Sequence, residues 1–284
     1  MLTLGPYDPV HLDALAALRP QGASPNALHH ELTDLARGRG AQVRIAFDDG
    51  RPCGVAGWVT LGIGATGTMY GAPVLAGTEA AARALLACLV DVSSRLGARQ
   101  LRVSCFPDEA PKADALRTLG FSPRLDLIGV ARPSAGLPEA SVPPFLRPIP
   151  IEQVDWDHFA EAFNTVFAEV PNAPPVGAEM RRQDWEAMDR EASGVWLDEE
   201  GRYAAWIGVH PDGEVDEVGV LADLRGHGIA RALYRAAGES LAARGAARLE
   251  ALLASTNAAT LALHAGLGFR ECTRRTVFEL ALTA

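Results

Sequence analysis

Shifting the chain against itself by 148 positions lays Trp58 on Trp206, Arg83-Ala84-Leu85 on Arg231-Ala232-Leu233, and Leu119-Gly120-Phe121 on Leu267-Gly268-Phe269. The same shift pairs Gly97-Ala98 with Gly245-Ala246 and Leu101 with Leu249. Upstream, Asp48-Asp49-Gly50-Arg51 corresponds to Glu199-Glu200-Gly201-Arg202 once extra residues ahead of Trp58 are allowed. A period this long exceeds the roughly 20–50 residues of solenoid repeats and means a duplicated domain. The total of 284 residues accommodates two domains of roughly 100–200 residues each.

Between the halves, Arg132 to Pro148 carries Pro133, Pro138, Pro143, Pro144 and Pro148. Proline fixes φ and removes backbone donors, so this stretch reads as an extended linker. The expected division is a first domain over 1–131, a linker over 132–148 and a second domain over 149–284.

The second half has the clearer pattern. An amphipathic helix is expected around Trp156–Val170, a proline-rich loop over Pro171–Gly177 and a helix near Glu179–Arg190. Strands follow at Gly194–Asp198, Tyr203–His210 and Glu214–Leu221, separated by turns in which glycine follows acidic residues. The helix His227–Arg244, the strand Arg248–Ala254, a short helix Asn257–Ala265 and a strand Thr276–Leu282 complete the series. The predicted fold class is α+β, in two tandem copies, each a mixed but mostly antiparallel sheet flanked by helices.

Composition removes several function classes. Net charge is −9, and no Lys/Arg run makes the basic footprint of a nucleic-acid binder; a neutral or cationic small partner fits better. Lys112 is the sole lysine and is followed by Ala113, so there is no Walker A loop. Cys53, Cys88, Cys105 and Cys272 form no CxxC, so neither a zinc site nor a disulfide framework is expected. No apolar stretch approaches the ~20 residues of a membrane span, and the N-terminus lacks a signal-peptide pattern. A cytoplasmic protein, monomeric or homodimeric, is expected.

The chemistry concentrates where the strand Glu214–Leu221 runs through Arg225-Gly226-His227-Gly228-Ile229-Ala230 into a helix. Glycines at a helix entrance let a ligand approach the backbone, and first-turn amides with the helix dipole behind them suit an anion such as a pyrophosphate. Arg225 adds full charge. A second glycine series, Gly62-Ile-Gly64-Ala-Thr-Gly67, spells GxGxxG but continues into β-like sequence containing a proline. A dinucleotide loop must open a helix, so this series is expected to be a hairpin turn, and a nucleotide-dependent oxidoreductase is the weakest of three readings.

These residues resemble the GNAT family of acetyl-CoA-dependent N-acyltransferases. Arg225-Gly-His-Gly228-Ile-Ala230 is similar to its Arg/Gln-x-x-Gly-x-Gly/Ala phosphate loop, and Val218-Gly219-Val220 sits where the family has its bulged strand. Asn257 to Gly268-Phe269 resembles the second block, Asn-x-x-Ala-x-x-x-Tyr-x-x-x-Gly-Phe, with Thr260 for Ala and His264 for Tyr. The layout is similar to the tandem subgroup that includes mycothiol synthase.

The resemblance implies acyl transfer from acetyl-CoA to a primary amine of a small molecule, with a non-catalytic acyl-CoA-binding module as the alternative. It places the pyrophosphate on backbone amides at Gly226, Gly228, Ile229, Ala230 and Arg231, with Arg225 and His227 in the same loop. Val218, Gly219 and Val220 would run along the pantetheine arm, the Val220 amide facing the thioester carbonyl. Asn257 would cap the short helix and touch the arm.

His264 stands where the family has its proton donor to the thiolate, and its place late in a helix would raise its pKa; a core histidine is the alternative. Glu214, eleven residues before Arg225, is the candidate base. Strand alternation adds Asp216 on the same face as a second candidate. The acceptor site would involve the Pro171–Gly177 loop, Glu169 and Glu179. In the first half Gly77-Thr-Glu79-Ala-Ala-Ala82 replaces the loop, Leu116 replaces His264, Glu109 replaces Asn257 and Thr66 replaces Glu214. That half is expected to be a degenerate copy.

Overall fold

The computed structural model describes residues 1–20, 41–60, 62–170 and 173–282. The chain divides into two compact units, Met1–Leu127 with Thr273–Ala284, and Ile128–Cys272. The first half contributes β1 (Leu2–Pro6), α1 (Leu12–Ala16), β2 (Ala41–Asp48), β3 (Arg51–Val59), α2 (Gly62–Thr66), β4 (Thr68–Ala76), α3 (Glu79–Arg95), β5 (Gln100–Cys105), α4 (Ala110–Thr118) and β6 (Ser122–Pro133). The second contributes β7 (Arg147–Ile149), α5 (Trp156–Phe167), α6 (Ala178–Glu186), β8 (Gly194–Leu197), β9 (Tyr203–Val209), β10 (Glu214–Val220), α7 (Ile229–Ala243), β11 (Arg248–Ala254), α8 (Ala258–Gly266) and β12 (Arg270–Ala281).

Strand order in the first unit is β1-β2-β3-β4-β5-β12, and in the second β7-β8-β9-β10-β11-β6. The chain's last strand therefore completes the first sheet, with Thr276–Ala281 antiparallel to Gln100–Cys105. The segment from Ile128 belongs to the second unit. These cuts differ from the boundaries read along the sequence, because β-pairing joins segments far apart in the chain and leaves no local mark.

The proline-rich stretch is not a free spacer. The Ser134 amide and hydroxyl donate to the carbonyls of Ala247 (3.2 Å) and Ala246 (2.5 Å), and Ser134 and Leu146 are buried. Proline removes some donors, and among those that remain the Leu146 N–H donates to the Pro143 carbonyl at 3.0 Å. Gly238 in α7 makes room for this stretch, since a Cβ there would stand 2.6 Å from the Ser134 carbonyl oxygen and 2.3 Å from Leu137 Cδ1.

In the second unit α7 buries Ile229, Ala232, Leu233, Tyr234, Ala237, Gly238 and Leu241, a broad stripe in which Ile229, Leu233, Ala237 and Leu241 recur every fourth residue. These pack on one face of the sheet with Ala205, Val215, Leu249 and Leu253. The opposite face is covered by α5 and α6, through an aromatic layer of Phe159, Phe163, Trp185, Tyr203 and Trp206. Trp206 lies directly across from Gly219, and its repeat partner Trp58 lies across from Gly71. Among the described residues, no helix is long and apolar enough to cross a membrane.

The GxGxxG series is a single helical turn, Gly62–Thr66, rather than a hairpin turn. The strands it joins, β3 and β4, are antiparallel. A dinucleotide-binding crossover needs parallel strands, so nothing at this turn supports the oxidoreductase reading.

Candidate active site

β10 is the strand on which the site is built. It pairs in parallel with β11 only at Glu214↔Glu250 and Val215↔Ala251. On its other edge it stays paired with β9 as far as Val220↔Ala205, with a bulge at Asp216. Leu221 N–H donates to the Ala204 carbonyl at 3.0 Å. Alternation along the strand therefore turns the amides of Val218 and Val220 away from β9, to the side on which β11 has stopped pairing. The result is a line of backbone groups for an extended ligand.

The bulge also decides which carboxylate points where. Val215 packs in the α7 layer, and Val218 and Val220 pack against the same layer. Glu217 bonds to residues of α6, and a Cβ on Gly219 would strike Trp206 in the α5/α6 layer. Asp216 is the extra residue between two differently phased stretches. The bulge brings Glu217 to the α5/α6 face, and the charge of Asp216 acts on both Glu214 and Glu217.

Glu214 is solvent-exposed at the strand's start. Partial desolvation raises its pKa, reinforced by repulsion from Asp216, Asp212 and Glu250 and opposed by His210. Such a carboxylate accepts protons more readily than an ordinary glutamate.

At the other end of β10, Gly226 (φ +84°) and Gly228 (φ +78°) take left-handed conformations that favour glycine, and no atom lies within 4 Å of where a Cβ would be on either. Gly228 is the N-cap of α7, which has neither a side-chain cap nor an acidic residue in its first turn. The first-turn amides at Ile229, Ala230 and Arg231 thus have no intrahelical acceptor. Arg225 Nε donates to the Val220 carbonyl at 3.2 Å, tying loop to strand. His227 Nδ1 lies 3.1 Å from the Arg225 carbonyl, folding its ring back on the loop. Arg225, Gly226, His227 and Gly228 are all exposed. An open left-handed loop on an uncapped helix end fits a pyrophosphate.

Asn257 caps α8, its Oδ1 accepting from Thr260 N–H at 3.1 Å. His264 points into the core and is 4% exposed. Its Nδ1–H donates to the Thr260 carbonyl (2.8 Å), which leaves Nε2 to accept from the Tyr234 hydroxyl (2.6 Å). Tyr234 and Phe269 lie edge-on to the ring at 5.1 and 4.9 Å. Burial lowers the His264 pKa, outweighing its hydrogen bond to Thr260. The expected rise from the helix end is absent, and both ring nitrogens are already engaged. The geometry departs from that of a proton donor to a ligand.

Sequence reading missed a buried polar cluster on the α5/α6 side of β10. Glu217, 5% exposed, accepts from Trp185 Nε1–H at 3.0 Å and from the Arg181 guanidinium. Arg181, 6% exposed, also binds Asp184, and its guanidinium carbon lies 4.2 Å from the Phe163 ring centre. Burial pushes the Glu217 carboxyl up to about 7, against the pull of Arg181. A glutamate at a strand position otherwise given to apolar residues was the available signal, obscured because the bulge changes which face each residue meets.

Of the loop expected at the acceptor site, Pro171 and Asn172 lie outside the described residues. Asn164 pins the loop's other end, its amide giving and taking 2.9 Å bonds with the Val176 backbone. Glu179 is engaged by Arg182 and Gln183, which hold its carboxyl down to about 2. Glu169 is exposed.

The first unit fills the corresponding positions with its own side chains. Thr78 Oγ caps α3 by accepting from Ala81 N–H at 3.2 Å, and Glu79 occupies the first turn. Lys112, 3% exposed, donates to the Val74 carbonyl at 2.8 Å and pairs with Glu109 at 2.5 Å.

Residues 156–269 match the Acetyltransferase (GNAT) family. Solved structures resemble the whole chain. A GCN5-related N-acetyltransferase from Sphaerobacter thermophilus has a TM-score of 0.73 at 15% identity, covering 100% of this chain and 96% of that one. A tandem GNAT protein from the clavulanic acid biosynthesis pathway gives 0.69 at 17% identity, covering 100% and 99%. A GCN5-related glucosamine N-acetyltransferase region of a fungal multi-domain β-N-acetylglucosaminidase gives 0.68 at 14% identity, covering 99% of this chain and 38% of that one. At these identities the structural likeness speaks to the fold. No curated protein matches in sequence.

Proposed function

We propose, from the premise that the chain carries a GNAT acetyltransferase domain and so performs acyl-CoA-dependent acyl transfer, that it moves an acetyl group from acetyl-CoA to the primary amine of a small molecule. The carrying observation is the run from the freed amides of Val218 and Val220 into the open Arg225–Gly228 loop on the uncapped end of α7. In this reading the loop and first-turn amides hold the pyrophosphate, with Arg225 adding charge. The strand amides hold the pantetheine arm, and the Val220 amide faces the thioester oxygen where negative charge develops. Asn257 borders the arm from the cap of α8.

The amine approaches from the α5/α6 face and loses its proton to Glu214, directly or through water. It attacks the thioester carbon, the C–S bond breaks and the CoA thiolate leaves. Holding both reactants in one complex supplies much of the acceleration. His264 serves the core, and solvent protonates the thiolate. The first unit, its cap and gap filled by Thr78, Glu79, Lys112 and Glu109, has a structural or acceptor-shaping role.

The test is acetyl-CoA calorimetry followed by thiol release with a panel of amino sugars, polyamines, amino acids and aminoglycosides. One bound acetyl-CoA per chain, release with at least one amine, and a more than tenfold loss of turnover in Glu214→Gln support the reading, since a general base contributes typically 10²–10⁴-fold. Binding without release from any amine would leave an acyl-CoA-binding module instead.

A further inference from the structure

Resting on that reading, the acceptor has to reach β10 from the face opposite α7, because Val218 and Val220 pack against the α7 layer. What meets it there is set by Glu217. This carboxylate lies one residue from the Val218 amide and is 5% exposed. It is joined to two residues of α6, the helix that follows the acceptor loop: Arg181 through its Nη1, and Trp185 through Nε1 at 3.0 Å. Gly208 on the neighbouring strand leaves it room, for a Cβ there would stand 3.1 Å from Glu217 Cγ.

Arg181 is held from three sides, by Glu217, by Asp184 and by the ring of Phe163. Its Nε is buried without a hydrogen-bond partner. That leaves one donor of the clamped guanidinium without a protein acceptor. Trp206 Nε1, in the aromatic layer to which Phe163 belongs, is likewise buried without a partner.

We propose that Glu217 is a positioning residue for the acceptor: by clamping Arg181 and Trp185 onto β10 beside the acyl site, it fixes the wall against which the acceptor amine is oriented. Charged groups facing it are Arg181 and Asp184 from α6 and Asp216 from its own strand. Phe163 of α5 and Gly208 of β9 bring no charge. Burial pushes the Glu217 carboxyl up against the pull of Arg181, so the clamp loosens on acidification as the carboxyl protonates.

The test compares wild type, Glu217→Gln, Glu217→Asp and Glu217→Gln/Arg181→Met, using the best acceptor from the amine panel. Glutamine can still accept from Trp185 but imitates the protonated state at every pH. Its expected signature is an acetyl-CoA Kd within twofold of wild type and an acceptor KM raised at least tenfold at pH 8. The rise in acceptor KM that wild type shows on going from pH 8 to pH 6 should be smaller in it, leaving only the part due to protonation of the amine and of Glu214. The aspartate variant retains that pH-dependent rise.

Should glutamine fail to fold beside an unpaired arginine, the double variant removes both charges, and it is expected to fold while keeping the raised acceptor KM. A wild-type acceptor KM in either the glutamine or the double variant, or an unchanged pH dependence of KM in the glutamine variant, overturns the proposal and leaves acyl transfer intact. Absence of acetyl-CoA binding or thiol release in wild type would instead overturn the reading beneath it.

Discussion

Replacing His264 by phenylalanine separates a proton donor from a core histidine. In the folded chain the imidazole gives one hydrogen bond to the Thr260 carbonyl and takes one from Tyr234, which is 2% exposed. Phenylalanine nearly fills the same volume and preserves the edge-on ring cluster with Tyr234 and Phe269, so little cavity cost arises. The loss comes from the Tyr234 hydroxyl, stranded in the core, and is about 1–3 kcal/mol.

Adding Tyr234→Phe removes the stranded group, and the double variant should recover to within about 1 kcal/mol of wild type, a coupling that a mutant cycle reads directly. Denaturant unfolding of the four proteins measures it. The pH dependence carries a second signature. A histidine held below its ordinary pKa binds fewer protons folded than unfolded, so its stabilisation is present above about pH 6.5 and lost as pH falls through that value. The phenylalanine variants should lack this acidic loss. If the single variant folds, binds acetyl-CoA and yet loses most of its turnover, the packing argument is wrong and His264 is the acid.

Three further substitutions test other parts of the account. Gly238→Ala would gain about 0.5–1 kcal/mol in an ordinary helix interior, but a Cβ 2.6 Å from the Ser134 oxygen should reverse the sign; a raised melting temperature would show that the proline-rich stretch does not pack on α7. Gly228→Glu puts a side chain and a like charge at a left-handed position in the phosphate loop, and should lower acetyl-CoA affinity at least tenfold by calorimetry, with a stability loss of about 1–2 kcal/mol from the left-handed backbone; unchanged affinity would remove the loop from the site. Lys112→Met leaves the Glu109 carboxylate buried without its cation, a cost of about 3–5 kcal/mol; adding Glu109→Gln should recover most of it, and an unchanged unfolding midpoint in the single variant would refute the pairing.

Much of the second unit was legible because its signals are local. The buried stripe of α7, the hairpin glycines, and Asn257 before α8 each act within a few residues, and the second unit's helices and strands from α5 to α8 formed with ends no more than four residues from where the pattern placed them. The exchange of β6 and β12 between units was not legible. Thr276–Ala281 reads as an apolar strand whichever sheet it joins, and its pairing with Gln100–Cys105 spans most of the chain. The proline-rich stretch misled for a related reason: its tertiary anchors, Ser134 and the gap at Gly238, leave no periodic trace.

The bulge at Asp216 shows how one unreadable feature redistributes chemistry. A strand alternates faces with period two, so Glu214, Asp216, Val218 and Val220 ought to share a face. The inserted residue changes the phase between Val215 and Glu217. The two valines therefore join the α7 layer, and Glu217 joins Glu214 on the α5/α6 face. Nothing in Glu214-Val-Asp-Glu-Val-Gly-Val220 marks the insertion, since Asp216 is a turn-former among strand-formers but so is Gly219. What fixes the phase is tertiary: Trp206 fills the space left by Gly219, and Arg181 with Trp185 captures Glu217. An unbulged strand would direct both valines toward the acceptor and turn Glu217 toward α7, away from Arg181 and Trp185. The placement of the arm, the choice of carboxylates and the wall facing the amine thus depend together on one residue of slack in β10.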